Sequence, residues 1–591
     1  MRRATAEVLA GLGAAGADLL AGVEVPAGVE VPVAPDASAA PVPRGQEHGR
    51  GAPQTTPLGE PVYGRAAGNE IQGAVVPGFN KDHQQLLFLR LGDVDRARAW
   101  LRWLAPRLST MNEVLDFRRA FRAARLRQGV HDPGLSATGS RVPELTATWL
   151  SVAFSHRAIA LLVGSDDASR LGDESFRQGL AARSTYLGDP TDPTHPGHRD
   201  HWVVGGPQNE ADVFVTVAAD DLDDLDAAVT AVVTAAEQHG LSVLLSQRGD
   251  NLPGALAGRE HFGFKDGISQ PGIRGARSTV PGDEITPRYL ADDDPHAALF
   301  AKPGQPLVWP GQFLLGEPRQ DPQDPRVAAP GATTHPEWAR LGSYVVVRRL
   351  AQDVVGFWDW MGSAAEALGV EPVAFASALV GRWPTGAPVM RSPRADDPVL
   401  AGDDFASNHF LYQDDTRPSS LVPIEGYAGD THRAAAADVL ARVCPHAAHI
   451  RKVNPRDSAT DFGAPADTLT RLMLRRGIPY GPALVGVTDP PPELVEAERG
   501  LLFVACMGSI EDQFEFVSRR WANSTDQPNA GGVDPVIGQV DRAGSRVREV
   551  LWPGADGDVP LRLDTDFVTP TGGGYFFAPP ISAVDGILAS G

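Results

Sequence analysis

The chain is predicted to be an α+β protein of two ferredoxin-like domains, each of β-α-β-β-α-β order with antiparallel sheets. Three observations carry this. Strand-like apolar runs and segments of helical period follow one another in that order after Gly68,. The same order returns, more loosely, after Gly342. At 591 residues the chain also exceeds what one core holds, since single cores stop growing at about 250–300 residues,.

LLFLRL (86–91) reads as a buried strand, and the segment after it places Ala97, Trp100, Leu101 and Leu104 at helical spacing,. TATWLSVAFS (146–155) and DVFVTVAA (212–219) are the next strands. A helix follows with Leu222, Leu225, Val229, Val232 and Val233 on one face, acidic residues in its first turn and Gly240 as its stop,. LSVLLS (241–246) closes the set. In the second half SYVVVRRL (343–350) is a strand and VVGFWDWMGSAAEAL a helix. LTRLMLRR (469–476) and GLLFVACM (500–507) are strands, IEDQFEFVSRRWAN a helix, and YFFAPP (575–580) the last strand. Trp100, Trp103 and Trp360 are assigned to cores.

The domains follow from these boundaries: a Pro/Ala/Gly-rich tail over 1–65, too poor in aromatics to order itself, a first domain over 66–250 and a second over 251–591,. Residues 281–335, dense in Pro, Gly and Asp, are expected to form a long surface excursion,. Arg2 and Arg3 before an apolar stretch have the form of a twin-arginine export signal, but Glu7 and Asp18 interrupt it and no clear cleavage site follows,. An uncleaved tail and a cytoplasmic location are expected.

With 53 basic against 74 acidic residues the formal charge is -21, which disfavours nucleic acid and anionic lipid as partners,. No run of about 18 apolar residues appears, so no membrane span is expected,. Cys444 and Cys506 are too few for a disulfide framework,.

Two stretches carry chemistry. CPHAAHIRKVNPRD (444–457) crowds Cys444, His446 and His449 against Arg451, Lys452 and Arg456. Zinc would find only three ligands there and give the cations no role. An iron porphyrin asks for one imidazole on the metal and cations on its two propionates, which matches the mixture. In EHFGFKDGISQPGIRG (260–275), Gly263, Gly267 and Gly272 admit backbone conformations closed to other residues and put Asp266 on a tight turn near a ligand,. Taken alone, the second stretch is better explained as a plain loop with an Asx-turn aspartate.

Together the two stretches resemble the dye-decolorizing peroxidases. GFKDG is similar to their GxxDG signature, and CPHAAHIRKVNPRD to their proximal segment. The resemblance continues through EIQGAVVPGFNKDHQQLLFL (70–89), GSYVVVRRL (342–350), LVGRWPTGAP (379–388) and LRRGIPYG (474–481), in a long form that looks most like the family's larger bacterial branch. It implies two ferredoxin-like domains and haem b held mainly by the second.

His449 is then the iron ligand with His446 as a rival, Asp266 the distal acid–base residue and Arg475, four positions before Pro479, the distal arginine in preference to Arg476. Arg451, Lys452, Gly263 and Gly267 border the cofactor. An acidic partner for His449 is sought among Glu511, Asp512 and Glu515. The implied activity reduces hydrogen peroxide through an oxyferryl intermediate and oxidises dyes, phenols and similar aromatic donors, and a homo-oligomer is compatible with it. A haem-storage or iron-releasing, deferrochelatase-like protein is the alternative; it would need His449 but little from Asp266. GFKDG and LRRGIPYG together favour the enzyme.

Overall fold

Strands of the first half lie side by side in the order Ser242–Asp250, His83–Arg90, Val213–Ala219, Thr148–Phe154, all antiparallel. This is the order that a β-α-β-β-α-β chain takes when its first and third strands are central. The second half repeats it: Leu474–Arg475, Gly500–Met507, Ser343–Gln352, Val568–Ala578, with Ile478–Tyr480 also on Gly500–Met507. The halves are not separate sheets. Phe577 faces Phe154 across one antiparallel junction, so nine strands form a continuous sheet. Its far edges come together, since a Cβ on Gly249 would stand 2.4 Å from Ile478 Cγ2.

The computed structural model describes residues 54–127, 145–331, 334–541, 545–554 and 557–590. The reading of the N-terminal arginines as part of an uncleaved tail lies outside these residues.

Strand alternation divides the core. Phe576 packs on Phe88 and Phe214 on one face of the sheet, while its neighbour Phe577 meets Phe176 and Tyr344 on the other,. Against the second face lies the helix Val94–Leu104, capped by the Asp93 side chain and burying Trp100, Leu101 and Leu104,. The helix Leu222–Gln238, capped by Asp221, buries Leu225 and Val232 but leaves Leu222 exposed at its start. Trp103 and Trp360 are half-buried.

Several elements differ from expectation. LTRLMLRR begins as a helical turn, Asp467–Arg471, because the buried Asp467 accepts from Thr470 and Arg471; only Leu474–Arg475 pairs as strand. IEDQFEFVSRRWAN winds as wide, π-type turns over Ile510–Glu515 and Val517–Ala522. Residues 281–335 are no mere surface excursion: Gln305–Val308 pairs with Gly272–Ile273, and Leu307, Val308, Phe313 and Leu314 are buried.

The expected tail also ends earlier than residue 65. Glu60 is 1% exposed and accepts from Arg274 Nη1 (3.0 Å), Arg288 Nη2 (2.8 Å) and the Gly275 amide (3.1 Å). Tyr63 is buried beside it and donates to Glu317. Glu60→Gln should therefore destabilise the fold by roughly 3–5 kcal/mol, because it leaves two guanidinium groups without their counter-ion. A truncation of residues 2–60 should cost at least as much. Denaturant midpoints read both, and an unchanged midpoint for Glu60→Gln would refute the assignment.

Candidate active site

Asp438 builds the turn that presents His449. Its carboxylate accepts from the amides of Arg442 (2.7 Å) and Cys444 (2.9 Å) and from Arg451 Nη1 (3.2 Å). The chain then turns at Pro445–Ala448 into the short helix His449–Val453. His449 Nδ1 lies 2.8 Å from Asp534 Oδ2, and Asp534 is fully buried. Its other oxygen accepts from the amides of Val536 (2.9 Å) and Ile537 (3.0 Å). A carboxylate so fixed makes Nδ1 the donor. Nε2 has no hydrogen-bond partner among the described residues. Burial lowers the imidazole pKa, but the charge and hydrogen bond of Asp534, with a smaller contribution from Asp266, outweigh it and leave the pKa raised; Arg475 opposes them.

The neighbouring cations do not face a ligand as expected. Arg451 is buried over the Tyr412 ring and bonded to Asp438 and the Cys444 carbonyl. Lys452, fully buried, donates to the carbonyls of Ser524 (2.7 Å) and Gln527 (2.6 Å). One helical turn sends both side chains inward. The expected acidic partners are engaged elsewhere too: Glu515 with Arg183 and Tyr575, Asp512 with Arg319, Glu511 with the Glu174 amide. Among the described residues His446 has no carboxylate partner; its Nδ1 is buried without a hydrogen bond, and burial pushes its pKa down to about 4. Among the described residues no cluster of three or more His, Cys, Asp or Glu could hold a metal ion.

Two other arginines differ from Arg451 in meeting neutral acceptors. Arg382 donates to the carbonyls of Gly386 and Ser407 and to Asn408, and Arg456 to Phe410 and the same Asn408. All these acceptors are neutral. Burial and the charge of Arg456 push Arg382 down to about 9, so the pair carries positive charge that no described carboxylate pairs with.

On the other side, the 260–267 turn is held from beneath. Glu260 accepts from the amides of Phe262 (2.8 Å) and Phe264 (3.0 Å) and from Gln352 Nε2 (2.6 Å). Phe262 stacks on Phe357 and Phe264 on Trp358. Gly263 and Gly267 have φ of 99° and 74°, conformations that tighten the turn,. Asp266 is exposed, with its amide on the Gly258 carbonyl. It opens on a cavity of about 890 Å3 whose walls include Gly267 and Arg475. Gly263 is not in those walls and serves the turn.

Arg475 is tied to the same turn: its amide donates to Gln270, Gln270 Nε2 returns to its carbonyl, and Nη2 donates to the Ser269 carbonyl (2.8 Å). Arg476 instead reaches the carbonyls of Ala74 and Val75 in the first half. The arrangement offers a free imidazole nitrogen backed by a carboxylate, and within electrostatic reach of it a carboxylate and a guanidinium on a cavity wall.

Glu260 gives the site a pH signature. Burial, against its hydrogen bonds and reinforced by the charge of Asp266, pushes its carboxyl up to about 7. A raised carboxyl favours the protonated fold, so its contribution is full below about 4.5 and is lost as pH rises through about 7. Stability should decline across that window, and Glu260→Gln should flatten the decline. Equal slopes in urea melts of parent and variant from pH 4.5 to 7 would contradict this.

Residues 70–251 match the family described as the DyP dimeric alpha+beta barrel domain. The chain is 32% identical over 469 residues to the dye-decolorizing peroxidase of Mycena epipterygia, covering 75% of this chain and 76% of that one. It is 28% identical to the multifunctional dye peroxidase of an Amycolatopsis strain, over 87% of this chain and 94% of that one. Among solved structures, an ancestral D-type dye-decolorizing peroxidase superposes with a TM-score of 0.68 at 28% identity, over 88% of this chain and 99% of that one. The enzyme of Auricularia auricula-judae superposes with a TM-score of 0.64 at 26% identity and the same coverage. With the shared fold and relatives matched over most of their length, the chain belongs to the dye-decolorizing peroxidase family.

Proposed function

We propose that this chain is a haem b peroxidase that reduces hydrogen peroxide and oxidises dyes and similar aromatic donors, with its chemistry held by the second half of the chain. The observation that carries the reading is the His449–Asp534 pair. A neutral imidazole whose Nδ1–H is held by a buried carboxylate presents Nε2 as a metal ligand of raised basicity. The fit to haem extends to its carboxylates, since Arg382 and Arg456 supply charge that no described carboxylate hydrogen-bonds,.

When bound, haem would supply the two electrons that reduce hydrogen peroxide and would take them back, one at a time, from the aromatic donors. The protein's part is proton movement and charge placement. Asp266 Oδ takes the proton from the inner oxygen of hydrogen peroxide and returns it to the outer oxygen, which leaves as water. Arg475 polarises that outer oxygen and stabilises the charge that gathers there as the O–O bond breaks. The carboxylate–amide bonds of Glu260 and the Gln270 bridge keep these two side chains in register.

The visible spectrum of the haem-loaded protein, before and after one equivalent of peroxide, tests this. A Soret band that shifts at once and recovers on adding an aromatic reductant is expected. A band that is present but indifferent to peroxide would replace the peroxidase reading by haem storage or iron release.

A further inference from the structure

His449 and Lys452 stand three positions apart on the short helix His449–Val453, a spacing that puts them on one face,. Both reach into the same stretch of chain, residues 522–538. Lys452 Nζ donates to the carbonyls of Ser524 (2.7 Å) and Gln527 (2.6 Å) near its start, and His449 Nδ1 lies 2.8 Å from Asp534 Oδ2 further along. The Asp534 amide returns to the Ala522 carbonyl (2.8 Å), and a Cβ on Gly531 would stand 2.6 Å from His446 Cβ, so the stretch is closed tightly on the segment that carries His449.

Lys452 is 0% exposed, yet both its acceptors are neutral carbonyls, and among the described residues no carboxylate is paired with it. A buried ammonium is costly unless a negative charge offsets it. The carboxylates that act on it are Asp534, fully buried, and Asp526, exposed; they oppose the burial that pushes the ammonium down to about 8. Arg548 also feels Asp534 but has Asp566 as its own partner at 2.9 Å. Asp534 therefore answers two groups at once: the imidazole it touches and, through the poorly screening interior, an ammonium that has no carboxylate of its own.

We propose that Lys452 is a positioning residue that acts through Asp534: its buried charge restrains the carboxylate from drawing the Nδ1 proton of His449 and so limits the electron density the imidazole gives to iron. It rests on the peroxidase reading only in taking His449 as the haem ligand. A stronger pull by Asp534 gives the ring more imidazolate character, which favours ferric over ferrous iron. An ammonium within reach of the carboxylate works the other way, because it stabilises the negative charge on Asp534 and weakens its hold on the proton.

Spectroelectrochemical titration of the haem-loaded protein at about pH 6, where the ammonium is charged, tests this without turnover. Lys452→Gln removes the charge but keeps an N–H donor for the two carbonyls, Lys452→Met removes both, and Lys452→Arg keeps the charge. Both neutral variants should favour ferric over ferrous haem at least about tenfold more than the parent does, a potential lower by about 59 mV. Their ferrous iron–histidine stretching band should move to higher frequency, while Lys452→Arg stays close to the parent in both measurements. In the Asp534→Asn background the Lys452→Gln shift should fall to about a third or less, because the carboxylate that transmits it is gone. A parental potential in Lys452→Gln would overturn the proposal and leave Lys452 as a pin for the 524–527 turn. An equal shift with and without the Asp534 carboxylate would overturn it too, by showing that the charge acts on iron directly. Haem loss from both neutral variants would make the charge a condition of binding and not a means of tuning, and would likewise end it. The expected shifts in a haem protein unresponsive to peroxide would keep this inference while ending the peroxidase reading.

Discussion

Replacing His449 by alanine is expected to abolish haem retention, with the Soret band falling to a few per cent of the parent value after desalting. Among the described residues His449 Nε2 has no partner, while Nδ1 is fixed by a carboxylate that is itself fixed by two backbone amides. Such a side chain is organised for a ligand on its free nitrogen. Asp534→Asn should keep the ring in place but weaken haem or iron binding by about 10–100-fold, the usual cost of losing such an outer partner. It should also lower the ligand's basicity, which shifts the ferric/ferrous potential upward. His446→Ala, whose ring is hydrogen-bonded to no described carboxylate, should keep full haem content. Retained haem in His449→Ala together with loss in His446→Ala would reverse the assignment.

Features with local causes were legible in the sequence, and features made by distant chain segments were not. The element order came from period-2 and period-3.6 patterns, each set within one segment, and the strand order 4-1-3-2 then follows from connectivity,. The 260–267 turn was legible because its glycines and Asp266 lie within eight residues. Asp534 was not: it stands 85 residues beyond His449, and only the packing of the 531–538 segment against the His449 helix brings them together.

Arg451 and Lys452 misled for the opposite reason. Adjacent charges in a polar run read as ligand-facing, yet the helical turn carries them into the interior, where Asp438 and two carbonyls satisfy them. Glu60, alone in a Pro- and Gly-rich stretch, gave no sign of the two arginines waiting more than two hundred residues away. Nor did two separate β-α-β-β-α-β patterns indicate that Phe577 and Phe154 would join them into one sheet.

Asp266→Asn and Arg475→Leu are each expected to slow the first peroxide-dependent spectral change by roughly 10²–10³-fold, with haem content and the resting ferric spectrum unchanged. The two losses have different physical causes. Asparagine keeps the shape of Asp266 and its bond from the Gly267 amide, but it cannot take a proton from peroxide. Leucine at 475 removes a positive charge, and with it the bond from Nη2 to the Ser269 carbonyl that holds the guanidinium against the turn. Arg475→Lys, which restores charge without the planar fork, should therefore recover only part of the rate. Because Gln270 ties the Arg475 backbone to the Asp266 turn, the two residues are expected to act as one unit. The double variant should then be scarcely slower than the worse single one, as coupled catalytic groups behave. Stopped-flow absorbance at several peroxide concentrations measures this, and strictly multiplicative losses would show that the two side chains work independently. If either variant reacts with peroxide at the parent rate while holding its haem, that residue has no part in moving the proton or stabilising the departing oxygen.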